Sequence, residues 1–223
     1  MSFRPPQPLA GVLFDLDGTL VDSATDLYAA LEALCAEQQV PPPPYAAMRE
    51  RVSRGATAML RSAFPQHDDA AIAALRPRFL ELYAELLDGA TRTFPGVDAL
   101  LDTLEARGIG WGVVTNKPAA LTGPLLQRLG LDHRCAALVC GDTLTVCKPD
   151  PEPLLHACRS ATLAPAQCVF VGDDRRDIEA GRAAGMPTIA AAWGYLDGGD
   201  PQQWQADAVA KDVAQLARLL ALA

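Results

Sequence analysis

The sequence lacks the features that mark membrane, secreted and nucleic-acid-binding proteins. No apolar run approaches the roughly 20 residues that a transmembrane helix needs, and residues 1–10 lack the apolar core of a signal peptide. Basic residues are few, and the formal net charge of −8 favours neither nucleic acid nor an anionic membrane as a partner. We therefore expect a cytoplasmic protein, monomeric or homodimeric, whose partner is a small molecule.

The cysteines and histidines do not form the patterns of known metal or catalytic sites. The six cysteines include no C-x-x-C pair and mostly have apolar neighbours, which favours buried, reduced thiols. The three histidines are scattered without the spacing of metal ligands. There is also no G-x-S-x-G elbow and no G-x-x-x-x-G-K-[ST] loop. These absences argue against a zinc site, a His-activated nucleophile and a P-loop nucleotide site.

What the sequence does contain is a pair of carboxylates at the end of an apolar segment. Residues 12–14 suit a buried strand and Gly18 interrupts it, which places Asp15 and Asp17 at the strand end. Alternate side chains of an extended chain share one face, so the two carboxylates lie close together and need a cation or a retained proton. A nucleophilic carboxylate beside a general acid, with Mg²⁺ screening both, is typical of phosphoryl transfer. An ordinary acidic turn is the alternative.

The residues from Asp15 to Thr19, DLDGT, resemble the first motif of the haloacid dehalogenase superfamily in its phosphatase-like form. This motif is specific, because both aspartates, the glycine and the threonine must occupy fixed places. The dehalogenases themselves lack the second aspartate, since a carbon–halogen bond needs no protonated leaving group. By this resemblance, Asp17 implies a phosphate substrate.

The rest of the chain predicts an α/β fold with a helical insertion. Residues 22–92 form amphipathic segments with almost no strand signal, typical of a small helical bundle. From residue 93 helices and strands alternate, which indicates a Rossmann-like, doubly wound parallel sheet. We predict a catalytic core of residues 1–21 and 93–223 and a helical cap of residues 22–92. The resemblance implies that this cap closes over the active site.

Three further clusters of polar residues lie where ligands of an open parallel sheet bind, beyond the carboxyl ends of predicted strands. They are Thr115 and Asn116 after the strand at 111–114, Lys148 in the loop CKPDPEP, and Asp173, Asp174 and Asp177 after the strand at 168–171. Hydroxyl, amide and ammonium groups can hold phosphate oxygens, and carboxylates suit a hard cation. Helix capping and ordinary loops explain each cluster separately, but they do not explain why all of them meet at one sheet edge.

These clusters are also similar, in order, to the second, third and fourth motifs of the same superfamily. The resemblance implies that Asp15 is the nucleophile and that Asp17 is the general acid and base. It implies that Thr115 and Lys148 bind the phosphate, with Asn116 beside them. It also implies that Asp173 is a direct Mg²⁺ ligand, together with Asp15 and the Asp17 carbonyl. Asp174 stands where many members have serine. It therefore stays open whether Asp174 or Asp177 is the second acidic partner of the metal.

Within the superfamily the chain is similar to the phosphoglycolate phosphatase group. The segments WGVVTNKP, KPDPEP and FVGDDRRDIEAGR are similar to the bacterial N-acetylmuramic acid 6-phosphate phosphatases of cell-wall recycling. The resemblance implies a Mg²⁺-dependent phosphomonoester hydrolase with an aspartyl-phosphate intermediate, acting on N-acetylmuramic acid 6-phosphate or 2-phosphoglycolate. In the cap, Ser53, Arg54 and Gly55 are candidates for contacting the leaving group, and Arg54 can pair with the carboxylate that both substrates carry.

Three other functions share parts of this pattern. A phosphosugar mutase shares the cap and the motifs, and physical reasoning from the sequence does not separate it from a phosphatase. A response-regulator receiver also places acidic residues, a threonine and a lysine around Mg²⁺, but the acidic pair after the first strand and the inserted helices argue against it. A dinucleotide-binding oxidoreductase is suggested by Gly108, Gly110 and Gly112, but these glycines precede and enter a strand instead of following one.

Overall fold

The computed structural model of the protein describes residues 3–86 and 89–222. The strands within these residues are β1 Gly11–Phe14, β2 Val21–Asp22, β3 Arg92–Thr93, β4 Gly110–Val114, β5 Ala137–Val139, β6 Cys168–Gly172, β7 Thr188–Ala191 and β8 Ala208–Ala210. The α-helices are α1 Ala24–Glu37, α2 Tyr45–Arg49, α3 Ala56–Ala63, α4 Asp69–Glu85, α5 Val97–Ala106, α6 Ala119–Arg128, α7 Glu152–Ser160, α8 Arg175–Ala183 and α9 Val213–Leu219.

Six of the strands form one parallel sheet in the order β5-β4-β1-β6-β7-β8. β1 lies in the middle, with Leu13 opposite Gly112 of β4 and Phe170 of β6. The chain first builds outward from β1 to β5 and then crosses back to β6, so the strand order reverses beside β1. The predicted doubly wound α/β fold is confirmed. In such sheets the crevice at the point of reversal is where ligands bind.

Helices cover both faces of the sheet, which explains why its central strands are continuous apolar runs. In β1, Val12 and Phe14 pack into an apolar cluster that extends into the inserted helices, whereas Leu13 packs on the opposite face with residues of α7 and α8. All three side chains are almost fully buried. Burial of each contributes about 1.5–3 kcal/mol, which anchors the strand that ends at Asp15.

The helices α1 to α4 lie between β2 and β3. These two short strands pair antiparallel, with Val21 opposite Thr93, so the chain leaves and re-enters the sheet region at neighbouring points. The sequence pattern predicts neither strand, because two residues are too few to show a period. Asp26 in α1 strengthens the junction by accepting hydrogen bonds from the N–H groups of Ala90 and Thr91, at 2.7 and 2.8 Å.

The two strands whose bounds were predicted after residue 93 are each one residue longer than expected. The strand predicted at residues 111–114 is Gly110–Val114, and the strand predicted at residues 168–171 is Cys168–Gly172. Over residues 3–86 and 89–222 there is no helix with the length and apolar character needed to cross a lipid bilayer.

Candidate active site

The carboxyl ends of β1, β4 and β6 open into a cavity of about 220 Å³, roofed by the inserted helices. The cavity wall includes most of the site residues expected from the sequence: Asp15, Asp17, Arg54, Thr115, Asn116, Lys148, Asp174 and Asp177. Asp173 lies behind this wall and its side chain is fully buried. Residues up to 162 positions apart in the chain are thus brought together because parallel strands end at one edge of the sheet.

Lys148 forms the central ion pair of the site. Its Nζ lies 2.7 Å from Asp15 Oδ1 and 2.7 Å from Asp177 Oδ1. Burial alone would lower the pKa of Lys148, but the two carboxylates outweigh burial and raise it. The ammonium group is therefore charged and fixed directly beside Asp15.

Asn116 and Thr115 follow β4 and line the cavity next to the loop of Lys148. Asn116 fixes the loop of Lys148, since its Oδ1 accepts from the Lys148 N–H and its Nδ2 donates to the Lys148 carbonyl, both at 3.0 Å. One amide hydrogen of Asn116 remains for a phosphate oxygen. Thr115 Oγ1 accepts from the Lys117 N–H at 3.2 Å, which leaves its hydroxyl hydrogen free to donate into the cavity.

Asp15, Asp173 and Asp177 form a buried acidic cluster in which one carboxylate oxygen from each residue lies within 4.8 Å of the other two. Burial, followed by repulsion from Asp15 and Asp177, raises the pKa of Asp173 well above its ordinary value. Burial also raises the pKa of Asp177 to about 7; Lys148 opposes this shift, and Asp15 and Asp174 add to it. Three carboxylates against one ammonium leave an excess of negative charge. The oxygen donors therefore fit a hard divalent cation such as Mg²⁺.

Asp174 lies beside this cluster, but its side chain pairs with Arg176. It caps α8, because its Oδ1 accepts from the N–H of Arg176 at 2.8 Å and from the Arg176 Nε at 2.9 Å. Asp177 completes the capping box, since its Oδ2 accepts from the Asp174 N–H at 3.0 Å. Burial would raise the pKa of Asp174, but Arg176 outweighs it and lowers the pKa. The geometry groups Asp177, and not Asp174, with the other two carboxylates.

Asp173 is held by three hydrogen bonds from distant parts of the chain. Thr19 Oγ1 donates to its Oδ1 at 2.9 Å, and Ser53 Oγ and the Tyr195 N–H each donate to its Oδ2 at 2.7 Å. Gly18 has a φ of 88°, and a Cβ at this position would lie 2.0 Å from Asp173 Oδ2. This close approach explains why the DLDGT segment has glycine at this position, since a side chain there would collide with Asp173.

Asp17 has an ammonium partner of its own, which the sequence pattern does not predict. Lys117 Nζ lies 3.2 Å from each carboxylate oxygen of Asp17 and donates to Tyr83 Oη of α4 at 2.8 Å. Ser23 Oγ also donates to Asp17 Oδ1, at 2.5 Å. Asp15 and Asp17 are therefore each paired with a different lysine. A lysine after a strand ordinarily indicates a solvated loop, and only its neighbours in space give Lys117 this role.

We expect Lys117→Met to lower kcat about tenfold to a hundredfold, because Asp17 loses its charged partner and its orientation. Steady-state phosphate release measures the effect. Lys211→Met is the matched control, since Lys211 is exposed and is not among the residues that line the cavity. A kcat for Lys117→Met equal to that of the control would show that Lys117 does not act on Asp17.

Comparison with known proteins gives the same assignment as the fold and the site. The family of haloacid dehalogenase-like hydrolases matches residues 12–191. A phosphoglycolate phosphatase of Xanthomonas campestris pv. campestris is 50% identical over 206 residues, covering 92% of this chain and 93% of the relative. An N-acetylmuramic acid 6-phosphate phosphatase of Pseudomonas aeruginosa is 43% identical over 214 residues, covering 95% of each chain.

The solved structures agree. The crystal structure of a predicted phosphoglycolate phosphatase from Haemophilus somnus 129pt superposes with a TM-score of 0.86 at 29% identity, covering 95% of this chain and 97% of the other. The chain belongs to the haloacid dehalogenase-like hydrolases. Within that family it is an enzyme of the phosphatase group. The family resemblance seen in the sequence is thereby confirmed.

Proposed function

We propose that the protein hydrolyses phosphomonoesters through a phosphorylated Asp15. The observation that carries this proposal is the buried contact of Lys148 with both Asp15 and Asp177 at the cavity wall. Asp15 attacks phosphorus, while the Lys148 ammonium and the Thr115 hydroxyl bind the transferring oxygens. Asp17 protonates the leaving oxygen. Once ionised, Asp17 takes a proton from the water that hydrolyses the aspartyl-phosphate.

Mg²⁺ is the proposed cofactor. Asp15, Asp173, Asp177 and the backbone carbonyl of Asp17 are the groups that would hold it. A bound Mg²⁺ ion supplies positive charge to the phosphoryl oxygens as negative charge builds up on them. Asp174 contributes indirectly, by capping α8 and so holding the backbone that carries Asp177.

Residues 22–92 are the cap in this proposal, with residues 1–21 and 93–223 as the catalytic core; residues 1, 2, 87, 88 and 223 lie outside the described residues. Contacts between the inserted helices and the site support this division. Ser53 donates to Asp173, Tyr83 accepts from Lys117, and Arg176 donates to the Ser53 carbonyl. A cap that touches both the acidic cluster and the partner of Asp17 excludes bulk water when closed.

The names of the relatives supply the candidate substrates, N-acetylmuramic acid 6-phosphate and 2-phosphoglycolate. Both carry a carboxylate besides the phosphate. Arg54 lines the cavity and is a candidate for binding that carboxylate, although its Nε already lies 2.9 Å from Asp197 Oδ2. Substrate binding at Arg54 would therefore have to replace or share this ion pair.

Phosphate release from a panel of substrates tests the proposal. The panel contains the two candidate substrates, p-nitrophenyl phosphate and phosphorylated sugars without a carboxylate. We expect release from at least one carboxylated substrate with many turnovers per enzyme molecule. Isomerisation of a sugar phosphate without release would indicate a mutase instead, and a single phosphorylation without turnover would indicate a receiver.

We expect EDTA to reduce phosphate release about a hundredfold or more and added Mg²⁺ to restore it, because the buried carboxylates and the phosphate dianion repel one another without a cation. Ca²⁺ should not restore full activity, since its larger and looser coordination shell aligns the reacting groups poorly. Thermal unfolding of the EDTA-treated protein controls for loss of fold. Undiminished hydrolysis in EDTA, with metal analysis showing no bound cation, would contradict the metal assignment.

A further inference from the structure

Part of the cavity is lined by apolar side chains that the proposed chemistry does not use. This apolar wall consists of Leu27, Val52, Met59 and Leu80 of the inserted segment and Leu121 of the core. Apolar side chains contribute nothing to binding a phosphoryl group. They are suited to packing against the carbon skeleton of whatever the phosphate is attached to.

Five cationic side chains also line the cavity, and four of them have a carboxylate partner within the chain. The four pairs are Lys148 with Asp15 and Asp177 at 2.7 Å, Arg54 with Asp197 at 2.9 Å, Arg176 with Asp174 at 2.9 Å, and Lys117 with Asp17 at 3.2 Å. The fifth is Arg76 of α4, which is exposed. Among the residues that the structure describes, no carboxylate pairs with Arg76.

We propose that Arg76 binds a carboxylate on the leaving group of the substrate, and that the apolar wall selects a sugar-sized leaving group over a two-carbon one. This inference rests on the proposed function. The guanidinium fork matches a carboxylate with two parallel hydrogen bonds. At Arg54 a substrate carboxylate must compete with Asp197, whereas at Arg76 it meets no competitor among the described residues. The substrate class is a phosphorylated sugar that carries an acidic substituent.

A pair of matched substrates tests this assignment. N-acetylmuramic acid 6-phosphate and N-acetylglucosamine 6-phosphate share the acetylated ring and the phosphate, and they differ by the carboxylate-bearing ether group. We expect Arg76→Ala to lower kcat/KM about tenfold to a hundredfold on the first substrate and less than about threefold on the second. Arg76→Lys should recover part of the loss. Arg78→Ala is the control, because Arg78 lies on the same helix but pairs with Glu37 at 2.7 Å.

Equal losses on both substrates would mean that Arg76 supports the fold or the core site, and would overturn the inference. An Arg76→Ala variant with unchanged kcat/KM on both substrates would also overturn the inference. The same holds if Arg54→Ala, and not Arg76→Ala, loses kcat/KM only on the substrate that carries the carboxylate. Wild-type 2-phosphoglycolate hydrolysis as efficient as that of the acidic sugar phosphate would overturn the size selection.

Binding of the same two sugar phosphates to Asp15→Asn, with and without Arg76→Ala, separates this inference from the proposed function. A carboxylate preference that depends on Arg76 supports the inference even if the wild-type protein releases no phosphate. Such a result would overturn only the proposed hydrolysis. Equal binding of the two sugars by Asp15→Asn would overturn the inference itself.

Discussion

Replacing Asp15 by Asn is expected to abolish phosphate release while the fold persists. The amide has nearly the shape of the carboxylate, but it lacks the negative charge and the nucleophilic oxygen that attack phosphorus. Loss of a covalent nucleophile costs on the order of 10⁴-fold or more in kcat. Steady-state release of phosphate from the best substrate of the panel measures the effect.

The structure indicates that this variant will fold. Lys148 keeps a carboxylate partner, because Asp177 Oδ1 lies 2.7 Å from its Nζ on the other side. Circular dichroism and thermal unfolding check this point, and Asp132→Asn, at an exposed position, is the matched control. Hydrolysis by Asp15→Asn at a rate near that of the control would rule out Asp15 as the nucleophile.

The second large effect is expected for Asp17→Asn, which removes the general acid and base. Both half-reactions should slow, by about 10² to 10⁴-fold, since an amide neither gives nor takes the proton. The choice of substrate separates the two halves. With p-nitrophenyl phosphate the leaving group needs little protonation, so Asp15 should be phosphorylated quickly. Hydrolysis of the resulting aspartyl-phosphate should then stall.

Mass spectrometry of Asp17→Asn after mixing with p-nitrophenyl phosphate detects the stalled species as one added phosphoryl group. The double variant with Asp15→Asn is the control, because it has no acceptor. Rapid turnover without any accumulated phosphoprotein would exclude Asp17 from the second half-reaction. A kcat for the alkyl phosphate substrate equal to wild type would exclude it from the first.

Several parts of the fold follow from local pattern. The apolar residues 12–14 predict a buried strand because each strand of a sheet covered on both faces must be apolar throughout. The alternation of helices and strands after residue 93 predicts the doubly wound sheet. Local pattern does not predict the two-residue strands at Val21 and Arg92, since only their pairing with each other makes them strands.

Sequence pattern predicts the residues of the candidate site: Asp15 and Asp17 after one strand, Thr115 and Asn116 after another, Lys148 in a loop and three aspartates after a third strand. Parallel strands end at a common edge, so strand position alone predicts that these groups converge. It does not predict which charge pairs with which.

The charge pairs become visible once the elements are packed together. Lys117 meets Asp17 across 100 positions of the chain, and Ser53 meets Asp173 across 120. Asp174 pairs with Arg176, whereas Asp177 lies in the acidic cluster with Asp15 and Asp173. The physical reason is that a charge pair depends on distances of a few ångströms between side chains from different elements. Those distances are set by how the elements pack, which no local pattern in the sequence encodes.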